Sequence, residues 1–200
     1  MRIIAGQRRG WKLEPPKGYD VSRPITDRVK EALFNILQFD VPDRTVLDLF
    51  AGVGSMGLEA LSREARWVTF VEQDRDVAEA LRRNIERLRF EDSSRVIQGN
   101  VLKLREGIRD TARPDAPDLL TFDLVFVDPP YRLMKDDLTR TMVGETLAQL
   151  AAWNALAPNV IITVRHESRD IIAYDWPGLA VTDSRRWGSM TIDFLARAAL

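Results

Sequence analysis

Thr45-Val46-Leu47-Asp48-Leu49-Phe50-Ala51-Gly52-Val53-Gly54-Ser55-Met56-Gly57 begins as an apolar run and ends as a glycine-rich turn. The run is short and almost wholly apolar, the pattern of a strand buried on both faces. Gly52, Gly54 and Gly57 match the spacing G-x-G-x-x-G, in which glycines make a tight turn and let a ligand approach the backbone. That spacing alone fits many nucleotide-binding folds. Two details turn it away from a dinucleotide. Asp48, at the strand end, would repel a pyrophosphate but attract a cationic group. No Lys or Arg lies between Leu49 and Leu61 to help hold phosphate.

Three further strand ends carry polar groups. Trp67-Val68-Thr69-Phe70-Val71 runs into Glu72-Gln73-Asp74, and a carboxylate about 20 residues past a glycine turn is placed to accept ribose hydroxyls. Arg95-Val96-Ile97-Gln98 ends in Gly99-Asn100-Val101, where a polar side chain can meet an adenine edge. Phe122-Asp123-Leu124-Val125-Phe126-Val127 delivers Asp128-Pro129-Pro130-Tyr131. Proline has no N–H and a fixed φ, so the Pro-Pro step presents rigid carbonyl acceptors without competing donors. Asp128 adds acceptor capacity and Tyr131 a flat stacking face. Such a set suits a planar group with an exocyclic amine, as on a nucleobase. A proline-stopped turn with Asp128 as its cap is the structural alternative. All four strand ends fall where open α/β sheets bind ligands.

The remaining chain reads as one wound sheet. Thr26 caps a helix running to about Gln38, with Val29, Leu33, Ile36 and Leu37 as its apolar stripe. Val77, Leu81, Ile85 and Leu88 give the next long helix one apolar face, leaving Arg82, Arg83, Glu86 and Arg87 solvated. Segment 101–121 starts helical and ends in the turn Pro114-Asp115-Ala116-Pro117. A helix near 137–152 leads into a strand Val160–Val164, and 180–186 with 190–196 forms a hairpin around Trp187-Gly188-Ser189.

Composition narrows the chemistry. Two hundred residues suit one large α/β domain. There are no cysteines, which excludes disulfides, thiolate zinc sites and base methylation through a cysteine adduct. No apolar stretch approaches a membrane span and the basic start lacks a secretory apolar core, so nothing points away from the cytoplasm. Net charge is −1, yet residues 1–30 carry eight Lys/Arg against three acids, leaving +5 there and −6 in the remainder. A basic arm beside an acidic domain fits local phosphate contacts; a merely solvated segment has the same composition. His166, the single histidine, has no partner obvious in sequence and reads as structural.

Arg2-Ile3-Ile4-Ala5-Gly6, Arg9-Gly10, Arg23 to Asn35, Asp48 to Gly57 and Asp128 to Tyr131 resemble the bacterial RsmD family. That family consists of class I, Rossmann-like S-adenosylmethionine-dependent methyltransferases that modify guanine N2 in 16S ribosomal RNA. The resemblance implies a mostly parallel seven-stranded sheet with helices on both faces and a C-terminal antiparallel hairpin. It implies a basic arm or hairpin over 1–24 and a catalytic domain over 25–200. It also implies S-adenosylmethionine as cofactor, S-adenosylhomocysteine as product, no metal, and the small subunit, its assembly intermediate and possible ribosomal proteins as partners. Asp128, Pro129, Pro130 and Tyr131 would be catalytic; Asp48, Phe50, Ala51, Gly52, Gly54, Glu72, Gln73, Asn100 and Val101 would hold the cofactor. Arg8, Arg9, Arg23, Thr26 and Arg28 would meet RNA, with Arg28 alternatively holding its helix to the domain. Asn100 departs from the family's usual Asp. N6-adenine methylation of RNA or DNA is the alternative activity, because the same acceptors serve that amine.

Overall fold

The computed structural model describes residues 1–16, 25–103 and 121–198. Seven strands form one sheet in the order β3-β2-β1-β4-β5-β7-β6. They are β1 Thr45–Leu49, β2 Trp67–Glu72, β3 Ser94–Gln98, β4 Phe122–Val127, β5 Leu156–Glu167, β6 Leu179–Trp187 and β7 Met190–Arg197. β1 to β5 pair in parallel, whereas β7 runs antiparallel to both β5 and β6. The helices are α1 Asp27–Ile36, α2 Gly57–Ser62, α3 Arg75–Leu88, α4 Tyr131–Lys135 and α5 Asp137–Ala152. The expected sheet and closing hairpin are thus present.

Alternation along the central strands feeds two cores. Val46, Val68, Phe70, Leu124 and Phe126 point to the face covered by α1, α2 and α3. Leu47, Leu49, Val71, Val125 and Val127 point to the face covered by α5. Both faces are therefore dry, which is why these strands read as unbroken apolar runs. Caps fix the helix starts: Thr26 Oγ1 accepts from Val29 N, Asp74 from Asp76 N and Val77 N, and Asp136 from Thr139 N.

Several expectations change. Ile36 is 41% exposed, and the inward face of α1 instead carries Lys30, Leu33, Phe34 and Leu37. β5 starts earlier than expected, at Leu156. Pro158 breaks the sequence pattern, but an irregularity between Phe122 and Leu124 absorbs it, since a proline cannot donate to the ladder. Among the described residues, segment 101–121 begins with the 3-10 turn Val101–Lys103. Its expected turn at Pro114 to Pro117 lies outside them.

The start of the chain folds back on itself and packs onto the domain. Ile3 N bonds Trp11 O, Gly10 N bonds Ile3 O and Leu13 N bonds Met1 O, making a short antiparallel ladder. Ile3 and Leu13 enter the same core as α1 and α2. Glu59 of α2 is fully buried and accepts from Ile4 N at 2.7 Å and Ala5 N at 3.0 Å. Lys30 stands beside it, with Nζ 3.5 Å from Glu59 and donating to Arg2 O at 2.7 Å. Arg83 and Arg87 lie on the solvent-facing side of α3, each 42% exposed, and both reach Glu14, at 3.7 and 2.9 Å, while Asn84 between them accepts from Glu14 N and donates to its carbonyl.

Candidate active site

β1 lies between β2 and β4, and the chain winds outward from β1 in both directions. The edge between β1 and β4 is the switch point at which such sheets bind ligands. A cavity of about 430 Å³ opens there, within the usual range for a small-molecule site. Its walls gather the predicted strand ends: Phe50, Ala51 and Gly52 from the glycine turn, Glu72 and Gln73 from β2, and Val101 beyond β3. Asp128, Pro129, Pro130 and Tyr131 form the opposite side. The backbone at the turn is unusual. Phe50 has φ 63° although it is not a glycine, a conformation that is retained only where its surroundings impose it. Gly52, with φ 56°, has open space where a Cβ would point.

Glu72 fastens this turn. One carboxylate oxygen accepts from Gly52 N and the other from Asp74 N, both at 2.9 Å, while the residue still lines the cavity. Three predicted contacts are not direct. Asp48 is 1% exposed and lies beneath the turn rather than in the cavity wall, because its Oδ2 accepts from Gly57 N at 2.8 Å. Its Oδ1 has no hydrogen-bond partner. Burial pushes this carboxyl up to about 8, with the charges of Asp128 and Glu72 adding to the rise. Gly54 is a packing glycine: a Cβ there would stand 2.6 Å from Leu81 Cδ1. Asn100 turns its Oδ1 to Leu102 N at 2.9 Å, leaving neighbouring Gly99 and Val101 to line the cavity. A cavity with an orphaned acid oxygen below it, Glu72 on one wall and Asp128 on the other fits a cationic, ribose-bearing ligand such as S-adenosylmethionine.

The acceptor side contains a residue the sequence did not reveal. Arg165, from β5, lines the same cavity. Its Nε donates to Asp128 Oδ1, its Nη1 donates to Tyr131 Oη at 3.3 Å, and its guanidinium lies 5.1 Å from the Tyr131 ring centre. Burial pushes the Asp128 carboxyl up, and the guanidinium opposes that rise without cancelling it.

Tyr131 also borders a second cleft, shared with Met1, Ile25, Thr26, Asp27, Glu167 and Met190. Thr26 is therefore near the acceptor site, while Arg28 and Arg9 are exposed. Arg8 is elsewhere. Its Nε donates to Leu88 O at 2.7 Å and its guanidinium stacks over Phe90 at 5.4 Å. Leu88 ends the 14-residue α3, about 20 Å from the helix start beside the cavity, so Arg8 staples the N-terminal ladder to the far edge of the sheet. Lys30, counted among the basic residues, is buried, and desolvation lowers its pKa. Arg23 lies outside the described residues. His166 has the partner that sequence did not show: Nε2 stands 2.9 Å from Asp193 Oδ2, which also accepts from Tyr174 Oη at 2.6 Å. This buried network joins β5 to β7, away from the cavity.

The strand order, the reversed final hairpin and a ligand cavity under a glycine turn define a Rossmann-like class I methyltransferase fold. Residues 1–196 match the family described as Conserved hypothetical protein 95. The chain is 39% identical to Ribosomal RNA small subunit methyltransferase D of Escherichia coli over 167 residues, 84% of this chain and 75% of that protein. It is 38% identical to the protein of the same name from Haemophilus influenzae over 168 residues, 84% of this chain and 79% of the other. A solved Escherichia coli structure superposes with TM-score 0.77 at 32% identity, covering 100% of this chain and 99% of its own. The chain belongs to this family, that of ribosomal RNA small subunit methyltransferase D.

Proposed function

We propose that this protein transfers a methyl group from S-adenosylmethionine to the exocyclic N2 amine of a guanine in 16S ribosomal RNA, acting on the small subunit or its assembly intermediate. The observation that carries this reading is a single cavity in which the glycine turn and Glu72 face Asp128-Pro129-Pro130-Tyr131. A cofactor held by the first set would present its methyl to an amine held by the second. The names of the relatives specify small-subunit ribosomal RNA for those proteins, and guanine N2 comes from the family resemblance.

Each residue has a physical task. Phe50, Val71, Val77 and Val101 supply apolar walls for an adenine ring. Glu72 has acceptor capacity left for ribose hydroxyls, and Gly52 allows the cofactor to lie against the backbone. Bound there, S-adenosylmethionine supplies a methyl on a sulfonium: the carbon–sulfur pair goes to sulfur, the amine lone pair forms the new bond, and the nitrogen gives up a proton. Asp128 and the Pro129 carbonyl accept the amine's N–H bonds, drawing its lone pair out of conjugation with the base and holding the nucleophile in line. Tyr131 stacks on the base, which must leave its helix to enter. The cleft bordered by Ile25, Thr26 and Met190 receives what lies beside the base, and the exposed Arg28, two residues beyond Thr26, is the candidate for a phosphate contact. The acidic remainder of the chain, −6, suits a substrate presented with basic ribosomal proteins.

The test is transfer of labelled methyl groups to small subunits lacking native methylation, with naked RNA alongside, followed by digestion and mass spectrometry. N2-methylguanosine, formed preferentially on subunits, is the expected product. N6-methyladenosine would keep the fold and overturn the substrate.

A further inference from the structure

β4 and β5 run parallel with Val127 opposite Val164. The next residue out on each strand, Asp128 and Arg165, therefore meets the other at the sheet edge. Arg165 is only 10% exposed, against 20% for Asp128, so the pair is held in place rather than waving in solvent. The same guanidinium reaches Tyr131 Oη. One side chain thus contacts both the carboxylate and the ring assigned to the acceptor base. A guanidinium can do this because its planar fork addresses two partners at once; an ammonium is a point charge and cannot.

We propose that Arg165 is the positioning residue of the acceptor site: it locks Asp128 and Tyr131 into one unit and keeps the carboxylate an ion-paired acceptor, so that the amine proton leaves to water. This deepens the reading given under Proposed function and rests on it. The other titratable groups near Asp128 are Asp48, whose proton burial retains beneath the turn, and Glu72 across the cavity. Burial itself opposes ionisation of the Asp128 carboxyl. Without a cation Asp128 would take up a proton, one oxygen would become a donor, and an amine N–H would meet the wrong partner. The guanidinium restores acceptor character at the cost of basicity. A carboxylate so paired orients the amine, while the proton released as the nitrogen–carbon bond replaces the carbon–sulfur bond passes to solvent.

The experiment uses the full chain with Arg165→Met, Arg165→Lys, Asp128→Asn and the Asp128→Asn/Arg165→Met double variant. S-adenosylhomocysteine binding checks that each folds. For Arg165→Met, kcat at neutral pH is expected to fall by roughly tenfold to a hundredfold. The acid limb of its pH profile should move upward, so activity partly returns in alkali. Arg165→Lys should keep the limb near that of the unaltered protein while losing part of kcat. On the Asp128→Asn background, Arg165→Met should cost nothing further. Carboxyl-carbon NMR of Asp128 gives the same comparison without turnover: the carboxyl should titrate at higher pH in Arg165→Met. An unmoved limb with an unmoved titration, or additive losses in the double variant, would overturn the proposal. Its failure is separable from failure of the substrate reading, because limb and titration are compared whatever nucleoside the unaltered protein makes.

Discussion

At the residue scale, polar groups that follow apolar runs were visible in the sequence, because a buried strand must release its next residues at the sheet edge. Asp128, Tyr131, Glu72 and Gly52 all came to one cavity for that reason. Arg165 was not visible: its meeting with Asp128 depends on the Val127–Val164 register, which no local pattern encodes. Asp48 was placed correctly on its strand, but its side chain turned down to Gly57 rather than into the cavity. That orientation carries a consequence for stability. A carboxyl held near pKa 8 in the folded state, against about 4 when unfolded, binds its proton more tightly when folded. Stability from this group is full below the unfolded value and is lost as pH rises through the folded one. Asp48→Asn, which can still accept from Gly57 N, should therefore raise the melting temperature relative to the unaltered protein at pH 9 and much less at pH 5. Equal shifts at both pH values in thermal melts would mean that Asp48 is not protonated in the neutral fold.

At the element scale, helix starts were legible through their caps, and strands through burial on both faces. Docking of the N-terminal ladder was not, since Lys30 and Glu59 stand 29 positions apart in sequence and meet only after α1 and α2 pack. Both carry charge, yet their side chains are 1% and 0% exposed. Glu59→Ala would strand the Lys30 ammonium in the core and leave Ile4 N and Ala5 N without an acceptor. Removing one partner of such a pair costs about 3–5 kcal/mol, a loss that urea unfolding would register. A smaller effect marks the other face. In α5 a Cβ on Gly144 would fall 2.1 Å from the Trp176 ring, within a well-packed layer. Gly144→Ala should destabilise by about 1–3 kcal/mol through overpacking, despite alanine's better helix propensity. A neutral or stabilising result by the same method would show that the Trp176 segment yields.

At the scale of the whole molecule, topology was the most legible level: alternating strands and helices with a glycine turn leave few arrangements of the sheet. Charge distribution was the least legible. A segment of +5 suggested a basic arm reaching toward RNA, but Arg8 is fixed at the far edge, Lys30 is buried and Arg2 pairs with Asp27 at 2.8 Å. Composition counts cations without saying which way packing turns them. What the architecture does accomplish is to bring the cofactor side and the acceptor side to one switch point, supported by separate strands. The account therefore requires that the two sides can be disabled separately. The most direct test measures methyl transfer to small subunits and S-adenosylmethionine binding on the same preparation of Asp128→Ala. Transfer should fall by at least about a hundredfold, while cofactor binding stays close to that of the unaltered protein. Transfer that survives, or cofactor binding that disappears along with it, would contradict a cavity divided in this way.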